Sequence, residues 1–289
     1  IGYRAVDCTR HPRPHDVMPV HIQPGAFGQG SPRGALRLSP DHAVSVDGVL
    51  IPVRYLLNGT TIAQVAVSEV CYWHVELESH DILLAEGLLC ESYLDTGNRG
   101  AFANGGALAQ LHPDFARRIW ETQSCAPLVI AGVELECARS WLLDRAAALG
   151  WGTTPDADLH ILADGRRLPS ERVGTAQHFH LPAAASDIRL VSRHAIPAET
   201  RVSSTDHRRL GVAVASLAYG DRVLLLADPA LGTGWHRAES DAGKGGWRWT
   251  NGNAQIVLPG GSVLAIDIAM TATYPIVSEP SEPRARDAA

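Results

Sequence analysis

A run of short apolar stretches from Pro19 to about Glu91, each cut off by a turn signal, sets the tightest limit on the fold: "VHIQPGAFG", "ALRLSPDHAVSV", "VLIPVRYLL", "TIAQVAV", "VCYWHVEL" and "DILLAEGLLCESYL". The breaks fall at Pro24-Gly25, Asp47-Gly48, Asn58-Gly59 and Glu86-Gly87. In a strand successive side chains point to opposite faces, and tight hairpins need residues that tolerate positive φ, so this pattern predicts an all-β unit of antiparallel hairpins. The preceding "CTRHPRPHDVMP", Cys8 to Pro19, holds three prolines. Proline lacks the N–H that a central strand or a helix interior needs, so this segment reads as a surface loop.

From about His112 the texture changes. "HPDFARRIWETQ" opens on Pro113 and Asp114 in the manner of a helix start, and "GVELECARSWLLDRAAALG" repeats apolar residues at helical spacing up to Gly150. Strands resume after Gly150, with hairpin signals at Asp164-Gly165 and Gly220-Asp221, and predict a second, sandwich-like β domain. The last residues, "SEPSEPRARDAA", are polar and Pro-rich and read as a disordered tail. The expected organisation is therefore a β unit over 1–105, a helical connector over 106–150, a β-rich domain over 151–275 and a tail over 276–289.

Composition narrows the function. A net charge of -6 without a basic cluster argues against nucleic acid as the main partner. No apolar run approaches the roughly 20 residues that cross a bilayer, and no basic-then-apolar leader is present. The five cysteines form no C-x-x-C pair, and their odd number fits reduced thiols better than a disulfide framework. His11 with His15, and His178 with His180, have no Cys or acidic partners at ligand spacing and read as solvated histidines. No metal or cofactor is expected, and the sequence leaves the compartment, cytoplasmic or secreted, open. The chain opens at Ile1 inside what reads as a strand, which leads to the expectation of a longer polypeptide.

One Ser-x-x-His, Ser39 and His42 in "LRLSPDHAVSVDGVLIPV", precedes the Asp47-Gly48 turn. Taken alone it reads as a polar residue beside a hairpin, although Pro40 supplies a bend that could bring the two side chains together. A second stretch, "VCYWHVELESHDILLAEGLLCESY", Val70 to Tyr93, changes its meaning. Val75-Glu76, then His80-Asp81, an apolar strand, the Glu86-Gly87 turn and a second apolar strand ending at Cys90-Glu91-Ser92 resemble the C-terminal blocks of the Hint (hedgehog/intein) family. Ser39 and His42 then resemble that family's Thr-x-x-His block, and the first 105 residues together look like its bacterial branch.

The resemblance implies a Hint-type, horseshoe-like β domain that processes its own polypeptide. In that family a Cys at the domain start attacks the preceding carbonyl and converts the amide to a thioester, and a second step releases the upstream polypeptide. By position His42 donates a proton to the amide nitrogen, Ser39 supports it in place of Thr, and His80 matches the family histidine that supports the C-terminal step or orders the site. Inteins end in His-Asn, and the Asn side chain cyclises. Here Cys90 and Glu91 occupy those positions, with Ser92 next, so cleavage at the N-terminal junction without splicing is the expectation. The nucleophile is expected upstream of Ile1, because "DCTRHP" around Cys8 does not look like the family's opening motif.

Other candidates are Asp41, which could orient the imidazole, and Ser92 and Cys90 as supporting groups near the end of the domain, although Cys90, like Cys71, reads best as a buried small apolar residue. His74, beside Trp73, reads as the polar edge of an aromatic cluster, and "DTGN" at Asp95 lacks the second triplet of an aspartic protease. In the C-terminal part, "GWHRAESDAGKGGWRWTNGNAQI" concentrates Trp235, Trp247 and Trp249 among hydrogen-bonding residues, as a sugar-binding surface would. The competing reading is thus an inert Hint scaffold carrying a carbohydrate- or surface-binding β-sandwich. The partners implied are the upstream polypeptide on the first reading and a cell-surface ligand on the second.

Overall fold

A computed structural model describes residues 2–105, 115–241 and 245–276. The chain forms two compact units, residues 1–151 and 152–289, and is mainly β. The tail expected over 276–289 lies, but for Ile276, outside the described residues.

The first unit contains β1 (Gly2–Asp7), β2 (Val20–Ile22), β3 (Leu36–Leu38), β4 (Ala43–Val46), β5 (Val49–Pro52), β6 (Ile62–Gln64), β7 (Glu69–His74), β8 (Ile82–Ala85) and β9 (Leu88–Glu91). They pair as a ribbon of β1 with β7, a sheet ordered β3-β2-β6 and a sheet ordered β5-β4-β9-β8, all antiparallel. Two of the expected turns close hairpins of the third sheet. Asp47 and Gly48 both take positive φ, 48° and 82°, and so do Glu86 and Gly87, at 51° and 85°. Consecutive positive φ values are what a two-residue turn needs to match the twist of its strands. Gly87 is doubly required, since a Cβ there would meet the Gly30 carbonyl oxygen at 2.9 Å.

Two helices follow, α1 (Phe115–Gln123) and α2 (Val133–Ala148). The second is more than the expected connector. Its Leu135, Ala138 and Leu142 enter the same apolar core as Val20, Ile22, Val44, Ile51, Leu88 and Cys90. Burying these side chains contributes on the order of 1.5–3 kcal/mol for each large one, which fixes α2 to the β unit. Positions 135, 138, 142 and 146 recur at three and four residues, the spacing of one helical face, and all four are buried.

The second unit carries β10 (Thr153–Thr154), β11 (His160–Ala163), β12 (Arg166–Leu168), β13 (Glu171–Val173), β14 (Ala176–His180), β15 (Ile188–Val191), α3 (Pro197–Thr200), β16 (Val212–Tyr219), β17 (Arg222–Leu224), β18 (Trp235–Asp241), β19 (Gly245–Thr250), β20 (Asn253–Ile256), β21 (Val263–Thr271) and β22 (Tyr274–Pro275). One sheet is ordered β12-β11-β15-β20, and a larger one β13-β14-β21-β16-β19-β18 with β17 on β16. Ile161, Ile188, Leu190 and Ile256 from the first sheet share one core with Phe179, Val214, Leu217, Leu264 and Ile266 from the second, which is the sandwich arrangement the alternation predicted. No helix among the described residues is long and apolar enough to cross a membrane.

Candidate functional site

A cleft of about 470 Å³ opens in the first unit, and the Ser-x-x-His block forms part of its wall. Ser39, Pro40, Asp41 and His42 make a turn in which the His42 N–H donates to the Ser39 carbonyl at 3.0 Å. That turn is why a serine and a histidine three apart reach the same space, which straight strand geometry would forbid. It is pinned from the other side, because the Val53 and Arg54 N–H groups donate to the His42 and Pro40 carbonyls at 3.0 Å each. Ser39, Asp41 and His42 all line the cleft. The Asp41 carboxylate, 78% exposed, lies 2.8 Å from the Arg54 guanidinium, so its ionic partner is an arginine.

His42 is held below the ordinary imidazole range, chiefly by burial, while the charge of Glu91 and its backbone carbonyl pull the other way. A second imidazole faces it. The His74 ring centroid is 5.5 Å from that of His42 and also contacts Tyr93 and Phe102. His74 is pushed down to about 4, first by burial and then by the neighbouring His42.

Strand alternation explains its placement. Along β7, Cys71 and Trp73 face solvent with Tyr3 and Ala5 of β1, while Tyr72 and His74 face the cleft with Arg4 and Val6. Trp73 is 65% exposed and stacks on Tyr3, so His74 is not the edge of a core cluster around it. The two-residue period of "VCYWH" was the available signal, since it separates His74 from Trp73.

Glu91, named from the sequence only for what it lacks, lines the cleft as well. Its Oε1 accepts the Ala43 N–H at 2.7 Å, and its Oε2 lies 3.6 Å from His80 Nε2. His80 sits behind this carboxylate with its side chain 1% exposed, and it is not a lining residue of the cleft. Its Nδ1 accepts the Cys125 N–H at 3.1 Å, and its ring stands edge-on to Trp120 of α1. Ser92 lines the cleft and bridges strands, its Oγ accepting from the Asp81 N–H and its N–H donating to the Asp81 carbonyl.

The thiols lie elsewhere. Cys90 points into the core, and burial raises its thiol to about 12. Cys8 is buried with Val6 and Val17, and burial raises it too. Among the described residues no cysteine lines the cleft.

The three tryptophans of the second unit do not form a shared platform. Trp249 is buried with Leu210, Ala213 and Met270, and Trp247 packs on the same group. Trp235 donates its indole N–H to the Gln255 carbonyl at 2.8 Å and lies under the Arg248 guanidinium.

Among known proteins, no curated sequence and no solved structure matches the chain. The family model of the Hint domain matches residues 1–97, which span the ribbon, the Ser39 to His42 turn, His74, His80 and Glu91. The N-terminal third of the chain is therefore a Hint domain, a member of the family its two motif blocks resemble.

Proposed function

We propose that the Hint unit cleaves its own polypeptide at an N-terminal junction through a thioester, without splicing. A cysteine N-terminal to Gly2 attacks the carbonyl carbon of the residue before it. The new C–S bond forms as the C–N bond breaks, His42 gives its ring proton to the departing nitrogen so that it leaves as an amine, and the proton lost by the thiol replaces it on the imidazole. General acid assistance of this kind is worth roughly 10²–10⁴-fold, because an amide nitrogen leaves poorly as an anion. Water or another nucleophile then attacks the thioester carbonyl, releasing the upstream polypeptide and returning the thiol. Ser39 supports His42 through the turn that brings both to one wall. The observation that carries the reading is this paired Ser39 and His42 in a cleft of a Hint domain.

Two features support cleavage without splicing. The positions that would hold a terminal His-Asn pair hold Cys90 and Glu91, and neither side chain has an amide nitrogen to cyclise. Both are also engaged, Cys90 in the core and Glu91 with the Ala43 N–H. The test is to produce the chain with its natural upstream segment and follow intact mass with time, with and without added thiol. A fragment that begins at a cysteine and disappears in His42→Ala is expected. A product that persists uncut with thiol, and is indifferent to His42→Ala, refutes the proposal.

A further inference from the structure

We propose that Glu91 is the positioning residue of this cleft: its carboxylate, held between the Ala43 N–H and His80 on the wall that it shares with His42, keeps His42 as a proton donor. The inference rests on the autoprocessing reading for its use, but on geometry for its existence.

The geometry begins with the strand register. Val44 of β4 pairs with Cys90 of β9, so the antiparallel ladder sets Glu91 opposite Ala43, the residue after His42. The Ala43 N–H is spent on Glu91 Oε1 at 2.7 Å, which fixes the carboxylate against the backbone of the Ser39 to His42 turn. The second oxygen is the informative one. Glu91 Oε2 and His80 Nε2 are both buried, neither has a hydrogen-bond partner, and they face each other at 3.6 Å. Two unpaired buried polar atoms are costly apart, and a shift of a few tenths of an ångström joins them. The ring has one way to do so. Because Nδ1 already accepts the Cys125 N–H, a neutral His80 carries its proton on Nε2, pointing at Glu91.

Both carboxylate oxygens thus face donors. The Glu91 side chain is only 11% exposed, so little solvent screens its charge from the neighbouring rings. Burial works against the protonated form of His42, and the charge and backbone carbonyl of Glu91 work for it. The other charged groups about the two rings are Asp41 with Arg54 and Asp16 on one side and Arg4 with His74 on the other. Asp41 is spent on Arg54 and Asp16 lies near Arg13, His15 and Arg54, which leaves Glu91 as the acid fixed to the residue after His42. During cleavage Glu91 neither gains nor loses a proton. The proton leaves His42 for the amine, and Glu91 stabilises the imidazolium beforehand.

The test uses the whole chain and two separate readouts. Histidine ring resonances are titrated by NMR in the parent, in Glu91→Gln and in Glu91→Asp, with His42 assigned by its loss in His42→Gln. The His42 midpoint is expected to fall in Glu91→Gln and to return most of the way in Glu91→Asp, which keeps the charge on a shorter arm. An identical His42 midpoint in the parent and Glu91→Gln, or in the parent and Glu91→Ala should Glu91→Gln not fold, overturns the proposal. The second readout is cleavage of the chain with its upstream segment. Each unit by which the midpoint falls removes roughly tenfold of the protonated donor at neutral pH. The Glu91→Gln rate deficit is therefore expected to shrink as pH is lowered, and a deficit constant with pH also overturns the proposal. A parent whose His42 midpoint responds to Glu91, but which never cleaves, sinks the autoprocessing reading and leaves the coupling standing.

Discussion

Replacing His74 by glutamine tests whether the second imidazole is held neutral by its surroundings. In an unfolded chain a histidine takes up its proton near pH 6.5, whereas His74 in the folded unit resists until about 4. Between these two values the unfolded state binds more protons than the folded one, so stability rises with pH across that window. The contribution is fully present above about 6.5, is lost as pH falls towards 4, and changes no further below. Each pH unit of the interval is worth about 1.36 kcal/mol, which gives about 3 kcal/mol at full weight and about half that once the water reaching a half-buried ring is allowed for. Glutamine does not titrate, so His74→Gln is expected to flatten the acid side of the stability profile by about 1.5–3 kcal/mol. Its lost contacts with His42, Tyr93 and Phe102 add an offset that is the same at every pH. Hydrogen exchange of the β1 and β7 amides, read by mass spectrometry from pH 7 to 4 after correction for intrinsic exchange, reports this unit alone. That matters because His194 of the second unit is also pushed down to about 4 and loses stability in the same window. Parallel parent and variant profiles would mean that His74 takes up its proton alike in the folded and unfolded chain.

Leu142→Ala, at a fully buried position of α2, is expected to destabilise the first unit by about 3 kcal/mol in urea unfolding, where a mere connector would show almost nothing. Trp249→Ala is expected to cost the second unit about 3–5 kcal/mol, with no dependence on added sugars, since the indole fills a core group with Leu210, Ala213 and Met270. Brief alkylation of the native protein, counted by peptide mass, is expected to label Cys71, Cys125 and Cys137 and to spare buried Cys8 and Cys90 until denaturant is added. Gly87→Ala is expected to destabilise the β8–β9 hairpin by about 1–3 kcal/mol, because the new Cβ strikes the Gly30 carbonyl at a positive φ; unchanged exchange in β8 and β9 would count against that turn.

What could be read from the sequence, and what could not, follows from the range over which each signal acts. Hairpins are local, so Asp47-Gly48 and Glu86-Gly87 announced their own turns, and the alternation around them placed β4, β5, β8 and β9. The helices were legible for the same reason, but the role of α2 was not. Whether Leu135 and Leu142 close a core or line a tether depends on Val20, Ile51 and Leu88, which lie more than forty residues away. The site divides along the same line. Ser39 and His42 are three residues apart and their turn is built by Pro40 between them, so a motif could find them. His74 and Glu91 reach the cleft only through pairings with β1 and β4, and such register is fixed by the fold. Their chemical meaning is likewise relational. A glutamate at the place of a terminal asparagine reads as a loss when the strand is taken alone. Opposite Ala43 and in front of His80, the same residue is a buried carboxylate on a cleft wall, and on the proposed reading a carboxylate that steadies an acid stands where an amide would cyclise.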